Sequence, residues 1–373
     1  MADEIAEKVG IFTDSDYRIR AGLLYILLQA SANGHTYLPQ KELFSQAAEL
    51  LKVETTAMEK HLMDMQIDRK VVVKTVPGSE PPEYLVYSSH YYYLELNTAR
   101  MLHDLNIRGD IPETEIRANL AKVQKKEEIH LDELQEKAVF EAVNSGLLVI
   151  TGGPGTGKTT VVKGILNVLE QAGCRILLAA PTGRAARRLA DSAGHPAATV
   201  HRLLEYQPTG DGLCFGKDDS DPLDAEAIII DEASMLDISL TYHLLKAIPG
   251  GCRLIFVGDV DQLPSVGAGS VLKDMIRSGR MPVVRLENVF RQAEVSPIVR
   301  NAHKINRGQM PEFLAGADSE FALEEFANEQ DAAEFVARTY AQLTSGGDWR
   351  RVQVLTPMHK NPCGVQNLNK LLQ

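Results

Sequence analysis

The stretch Gly152-Gly153-Pro154-Gly155-Thr156-Gly157-Lys158-Thr159-Thr160 decides the fold. A short apolar run over 147–150 precedes it and reads as a buried strand. A helical pattern over 161–169 follows it and stops at Ala172-Gly173. Strand, glycine-rich turn and helix with the spacing G-x-x-x-x-G-K-T form a phosphate-binding loop. Glycines let backbone N–H groups crowd round a polyphosphate where a Cβ would collide. Those amides and the positive end of the helix dipole make an anion nest. Lys158 is placed to reach the β- and γ-phosphates, and the Thr159 hydroxyl to ligate Mg²⁺. The expectation is a nucleoside triphosphate seated on residues 153–160.

The chain has 373 residues, enough for two or three domains, and its 44% hydrophobic and 24% charged residues are ordinary for a water-soluble protein. No apolar run approaches the roughly 18 residues that a membrane span needs, and the opening Met-Ala-Asp-Glu is too acidic for a signal peptide. Cys174, Cys214, Cys252 and Cys363 are scattered without a C-x-x-C pair. That pattern fits reduced thiols in a cytoplasm and argues against a zinc site or a disulfide frame. The histidines show no metal-ligand spacing; His61, His195 and His303 read as surface or core residues. The net charge of −11 counts against a non-specific coat of DNA but leaves room for a local basic groove.

Residues 13–68 carry three helical patterns. Asp14 and Ser15 can cap the first, Pro39 starts the second and Thr55 the third. Two β-rich segments, 71–76 and 84–87, flank a turn-rich stretch. Three helices and a hairpin predict a small winged-helix-like domain, as suited to a protein partner as to nucleic acid. Tyr91-Tyr92-Tyr93 reads as a buried edge of the hairpin rather than a base-stacking platform. Residues 94–126 read as a helical connector, with Pro112 at a first helical position. Gln135 opens the next helix, where its amide can meet the N6 and N7 of adenine.

Beyond the loop, residues 175–180 read as a strand. Pro181-Thr182-Gly183-Arg184-Ala185-Ala186-Arg187-Arg188 follows at its carboxyl end, where open α/β sheets place ligands. Thr199-Val200-His201-Arg202 follows a second loop. Hydroxyls and guanidinium groups there suit the phosphates of a nucleic-acid strand. An apolar strand over 227–230 ends in Asp231-Glu232: Asp231 to hold Mg²⁺, Glu232 to orient and deprotonate the attacking water. The strand over 253–257 leads to Gly258-Asp259-Val260-Asp261-Gln262, with Gln262 beside the expected γ-phosphate. Arg291, in Phe290-Arg291-Gln292, can stabilise charge on the transferred phosphoryl group if a second domain folds over the nucleotide.

In this order G-G-P-G-T-G-K-T-T, A-P-T-G-R-A-A, D-E-A-S-M-L-D, G-D-x-D-Q-L-P-S-V-G-A-G and F-R-Q resemble the superfamily-one helicases, and specifically their RecD-like branch. The similarity runs over about 2–373. The resemblance implies an ATP site built from Lys158, Thr159, Asp231, Glu232, Gln262 and Arg291. It implies DNA contacts at Thr182, Arg184, Thr199 and His201, with ATP and Mg²⁺ driving 5′-to-3′ movement on single-stranded DNA. The implied fold is α/β: a winged-helix-like domain (1–105), a connector (106–130), a first RecA-like P-loop domain (131–284) and the start of a second (285–373).

The segment 355–373 resembles the early part of the family's second motor domain. The family continues with an SH3-like insertion, further DNA-contacting motifs and a late arginine. None of these is in the sequence, and His359-Lys360-Asn361 departs from the family's small, glycine-bearing turn. Residues 2–8 look like the middle of a helix-hairpin-helix region. The expectation is an incomplete motor that binds ATP–Mg²⁺, hydrolyses it poorly and does not unwind duplexes. A nucleic-acid or protein interaction module, and an RNA helicase of the same superfamily, are the alternatives.

Overall fold

The structure, a computed structural model, describes residues 16–209, 212–288, 296–313 and 320–373. Its contacts divide the chain into Met1–Ala293 and Glu294–Gln373. The first unit opens with helix α1 (Asp16–Ala32), whose Ile19, Leu23, Ile26, Leu27 and Ala30 recur every three or four residues and are all buried. Strand β1 (Tyr37–Pro39), helices α2 (Gln40–Leu51) and α3 (Thr56–Ile67), and strands β2 (Val71–Thr75) and β3 (Tyr84–Ser88) follow. The strands pair antiparallel in the order β1-β3-β2. This is the winged-helix arrangement that the sequence predicts, with β1 added. Thr55 occupies the N-cap of α3, whereas Asp14 and Ser15 lie outside the described residues.

Two expectations fail here. Tyr91-Tyr92-Tyr93 is not the edge of the hairpin but the start of helix α4 (Ser89–Leu105). The Ser88 hydroxyl accepts the Tyr91 N–H at 3.4 Å and caps that helix, so the chain turns helical as soon as β3 ends. The connector is also not one helical run. Helix α4 stops at Leu105, and α5 (Glu113–Glu127) begins after Pro112, which is an N-cap rather than a first helical residue. The reason lies in packing: α4 buries Leu94 and Leu102 in the core of the domain that follows. Residues 106–112 then cross the end of that domain, where the Asn144 side chain accepts the Ile111 N–H at 3.0 Å.

That domain is a six-stranded parallel sheet. Its members are β4 (Leu147–Gly152), β5 (Ile176–Ala180), β6 (Ala197–Thr199), β9 (Ala227–Ile230), β10 (Arg253–Gly258) and β11 (Val283–Leu286), in the order β11-β4-β10-β9-β5-β6. Strands β7 (Tyr206–Thr209) and β8 (Gly212–Phe215) form a separate antiparallel hairpin. The central strands are apolar on both faces, as a parallel sheet between two helical layers requires. Leu147, Val149, Ile228, Ile230, Leu254 and Phe256 point into one core. Leu148, Ile150, Ala227, Ile229, Ile255 and Val257 point into the other. Helices α4, α9 (Val200–Leu203), α10 (Ile238–Lys246) and α11 (Val271–Ser278) cover the first face. Helices α5, α6 (Glu133–Asn144), α7 (Lys158–Gln171) and α8 (Gly183–Ala193) cover the second. The expected domain boundary after residue 284 falls inside β11, which pairs with β4 through Leu286.

The second unit contains α12 (Pro297–Asn306), α13 (Glu329–Thr344) and α14 (Val365–Leu372). Among its described residues there is no strand, and of the hydrophobic side chains only Ala333 and Leu368 are buried. The segment 352–356 has no ladder partner among the described residues; a strand forms only where a neighbour can take its N–H and C=O groups.

Candidate functional site

The carboxyl ends of the parallel strands lie along one edge of the sheet. Strand β10 sits between β4 and β9, and its Phe256 is in register with Val149 on one side and Ile230 on the other. The loop after β4 and the acidic pair after β9 are therefore two strand spacings apart, about 10 Å.

The loop at 152–158 has the backbone of an anion cradle. Gly155 and Gly157 have φ of 77° and 80°, the left-handed region that glycine enters without steric cost, and Gly157 is the N-cap of α7. The Thr156 side chain is buried and donates to the Gly153 carbonyl at 2.9 Å, bracing the turn from inside. The Lys158 ammonium folds over the loop and donates to the carbonyls of Gly152 at 2.6 Å and Gly153 at 3.1 Å. Burial pulls it below the ordinary lysine range, against the opposing pull of Asp259, Glu232 and Asp231. Thr159 is exposed.

The Asp231 carboxyl is buried, and desolvation pushes it above the usual carboxylate range although the Glu232 N–H bonds to it. Glu232 has φ 53°, an uncommon value for a residue with a Cβ. Its Oε1 is ion-paired with Nη2 of Arg188 on α8. Its Oε2 is buried and, among the described residues, has no hydrogen-bond partner. A half-buried carboxylate with one oxygen held and the other, enclosed, left unpaired is suited to orient a water and take its proton.

Asp259, just past β10, is buried, with its carboxylate accepting the Asp261 N–H at 3.0 Å. Sequence reasoning assigned no role to Asp259 or Arg188. The first carries a readable signal, an apolar strand ending in an acid, as at Asp231.

Gln135 lies in the first turn of α6, one helix before the loop. It is fully buried in a capping box, its Oε1 accepting the Asp132 N–H at 3.1 Å and its Nε2 donating to the Thr156 carbonyl at 3.3 Å. The amide thus ties the start of α6 to the turn of the phosphate-binding loop. Gln262 is exposed on the loop after β10, its N–H donating to the Asp259 carbonyl at 3.2 Å. Arg291 lies outside the described residues.

The four residues expected at DNA collect at the ends of β5 and β6, adjacent strands in which Ala180 faces Thr199. Thr182 and Thr199 use their hydroxyls as N-caps, accepting the N–H of Ala185 at 3.2 Å and of Arg202 at 3.1 Å. Arg184 is exposed and, among the described residues, has no ion pair. His201 is exposed and lies edge-on to Tyr206 of the β7–β8 hairpin, 5.5 Å between ring centres.

Comparison with known proteins agrees with this geometry. A family profile described as "AAA domain" matches residues 135–268, spanning the loop and the acidic pair. A second, "ATP-dependent RecD2 DNA helicase HHH domain", matches residues 1–37. The "ATP-dependent RecD2 DNA helicase" of Deinococcus radiodurans is 33% identical over 383 aligned positions, covering all of this chain and 51% of the relative. The chain belongs to the RecD-like helicase family. The "RecBCD enzyme subunit RecD" of Mycobacterium tuberculosis is 36% identical over 54% of this RecD-like chain and 37% of its own length. The chain thus spans about half or less of the length of these curated relatives. The solved structure "Crystal structure of Pif1 helicase from Candida albicans" aligns with 57% of the chain and 55% of its own at 19% identity. Its TM-score is 0.39. Among the described residues no helix is long and apolar enough to cross a membrane.

Proposed function

We propose that this chain supplies the ATP site and a strand-binding surface of a helicase that couples ATP hydrolysis to 5′-to-3′ movement on single-stranded DNA. The observation that carries the reading is the unpaired, buried Oε2 of Glu232 on the sheet edge that also presents the glycine loop.

In this reading the amides of residues 153–160 bind the polyphosphate, and Lys158 exchanges its two carbonyl acceptors for phosphate oxygens. The Thr159 hydroxyl and the Asp231 carboxylate are hard oxygen donors that fit Mg²⁺, and a cation beside Asp231 would offset the cost of burying that carboxylate. Bound there, Mg²⁺ would neutralise charge on the β- and γ-phosphates. Glu232 orients the attacking water through Oε2 and accepts its proton. Gln262 senses the γ-phosphate, and Arg291 stabilises charge on the transferred phosphoryl group. Thr182, Arg184, Thr199 and His201 line the path of the strand, and the parallel-sheet domain that ends with β11 is the first motor domain.

The test is ATP hydrolysis with and without single-stranded DNA. The rate should rise with DNA, and Glu232→Gln should lower it about 100-fold or more while ATP still binds. Hydrolysis indifferent to Glu232→Gln refutes the assignment. RNA in place of DNA separates the two substrates, and any strand separation from 5′- or 3′-tailed duplexes would refute the expectation that this chain does not unwind.

A further inference from the structure

The ion pair between Arg188 and Glu232 joins two surfaces that the proposed function keeps apart. Arg188 stands on α8, the helix that begins where β5 ends. It lies four residues beyond Arg184, so the two side chains share one helical face. Arg184 and Arg187 are exposed and, among the described residues, have no ion pair. Arg188 alone of the three turns to the catalytic edge. Its side chain is 68% exposed while that of its partner Glu232 is 14% exposed, so the guanidinium reaches inward from solvent.

The carboxylate it holds is unusual in two further respects. Glu232 sits in the left-handed region, a strained backbone that persists where its surroundings fix it. Its second oxygen is buried and, among the described residues, unpaired. While the pair is closed, one carboxylate oxygen and much of the negative charge are committed to Arg188. A guanidinium binds phosphate in the same forked geometry as carboxylate, so a nucleic-acid backbone beside Arg184 competes for Arg188 directly.

We infer that Arg188 is a positioning residue that couples strand binding to hydrolysis by exchanging Glu232 for a backbone phosphate. The inference rests on the reading of the α8 surface as a strand-binding site. With the strand absent, Arg188 holds Glu232 to one side. With the strand bound, both carboxylate oxygens are released to the water. Coupling of this kind is reciprocal: if the strand opens the pair, removing the carboxylate must favour the strand.

The test needs no hydrolysis. Affinity for a short fluorescent single-stranded oligonucleotide is measured by anisotropy on the whole chain, without nucleotide and at fixed low salt. Glu232→Gln should tighten binding about three- to tenfold, as expected for coupling between groups in direct contact. Arg188→Gln should weaken it, and Glu232→Gln should have no effect in the Arg188→Gln background. In an Arg188→Lys background, which keeps the charge but not the fork, the gain from Glu232→Gln should persist at reduced size. Asp231→Asn measures the gain from losing any negative charge nearby, and Glu232→Gln must exceed it. Equal gains in Glu232→Gln and Asp231→Asn, or a gain that survives Arg188→Gln, overturn the coupling while leaving the strand-binding reading intact. No binding by the unmodified chain overturns both.

Discussion

Replacing Lys158 by alanine separates the site's affinity from its stability. The ammonium makes two hydrogen bonds to neutral carbonyls, at 2.6 and 3.1 Å. Moved to phosphate oxygens, the ammonium adds charge–charge attraction to its hydrogen bonds, on the order of 4 kcal/mol for one pair at about 4 Å near a protein surface. Net of desolvation, about 3–4 kcal/mol corresponds to a dissociation constant raised about 100- to 1000-fold. The unliganded fold should hardly notice. Burial penalises the lysine charge while Asp259, Glu232 and Asp231 favour it, so its removal has opposing effects. Calorimetric titration with ATP and Mg²⁺, beside thermal melts of the same samples, makes the comparison. A change in affinity below about threefold, with the melt unchanged, refutes the assignment of Lys158 to the phosphates.

Three further outcomes follow from the packing and the buried charges. Asp231→Asn should raise the thermal stability of the unliganded chain near neutral pH. Burial lifts the folded carboxyl above its unfolded value, so what Asp231 contributes is fully present when it is protonated and is lost as pH rises through the folded value. The advantage of asparagine should shrink on acidification through the carboxylate range, and melts at a series of pH values would show a constant difference if this is wrong. Leu102→Ala, which removes the side chain docking α4 on the sheet, should cost about 2–4 kcal/mol in urea unfolding; a cost under about 1 kcal/mol would mean that α4 is not part of that core. Burial pushes the Cys252 thiol up to about 12, whereas Cys214 is exposed. A thiol reagent should label Cys214 first and reach Cys252 only on unfolding; mass spectrometry gives the order.

The parts legible in the sequence are those written by local sterics or by strong periodicity. Gly155 and Gly157 announce a backbone that only glycine adopts cheaply, and the structure has it there. The strands at 147–150, 227–230 and 254–257 are apolar at every position, and each supplies both cores. What escaped is short or non-local. Strand β6 is three residues long, and β11 carries Arg285 in its middle, so neither has a pattern to read. Tyr91-Tyr92-Tyr93 has high β-propensity, and a single cap at Ser88 together with the docking of α4 outweighs it. The Arg188–Glu232 pair joins residues 44 apart in the chain. It exists only because β5 and β9 are neighbours in the sheet, an order that no local window contains. Gln135 was found where expected along the chain, but its amide is spent on Asp132 and Thr156.

The central claim is that a triphosphate rests on the loop between β4 and α7 with the acidic pair of β9 facing it. A crystal structure of this chain with a non-hydrolysable ATP analogue and Mg²⁺ tests it most directly. The expected result has the β- and γ-phosphates on the amides of residues 155–159, within hydrogen-bonding distance of the Lys158 ammonium, and Asp231 turned towards the metal. An analogue bound away from that loop, or phosphates seated there with Asp231 and Glu232 facing elsewhere, would contradict it.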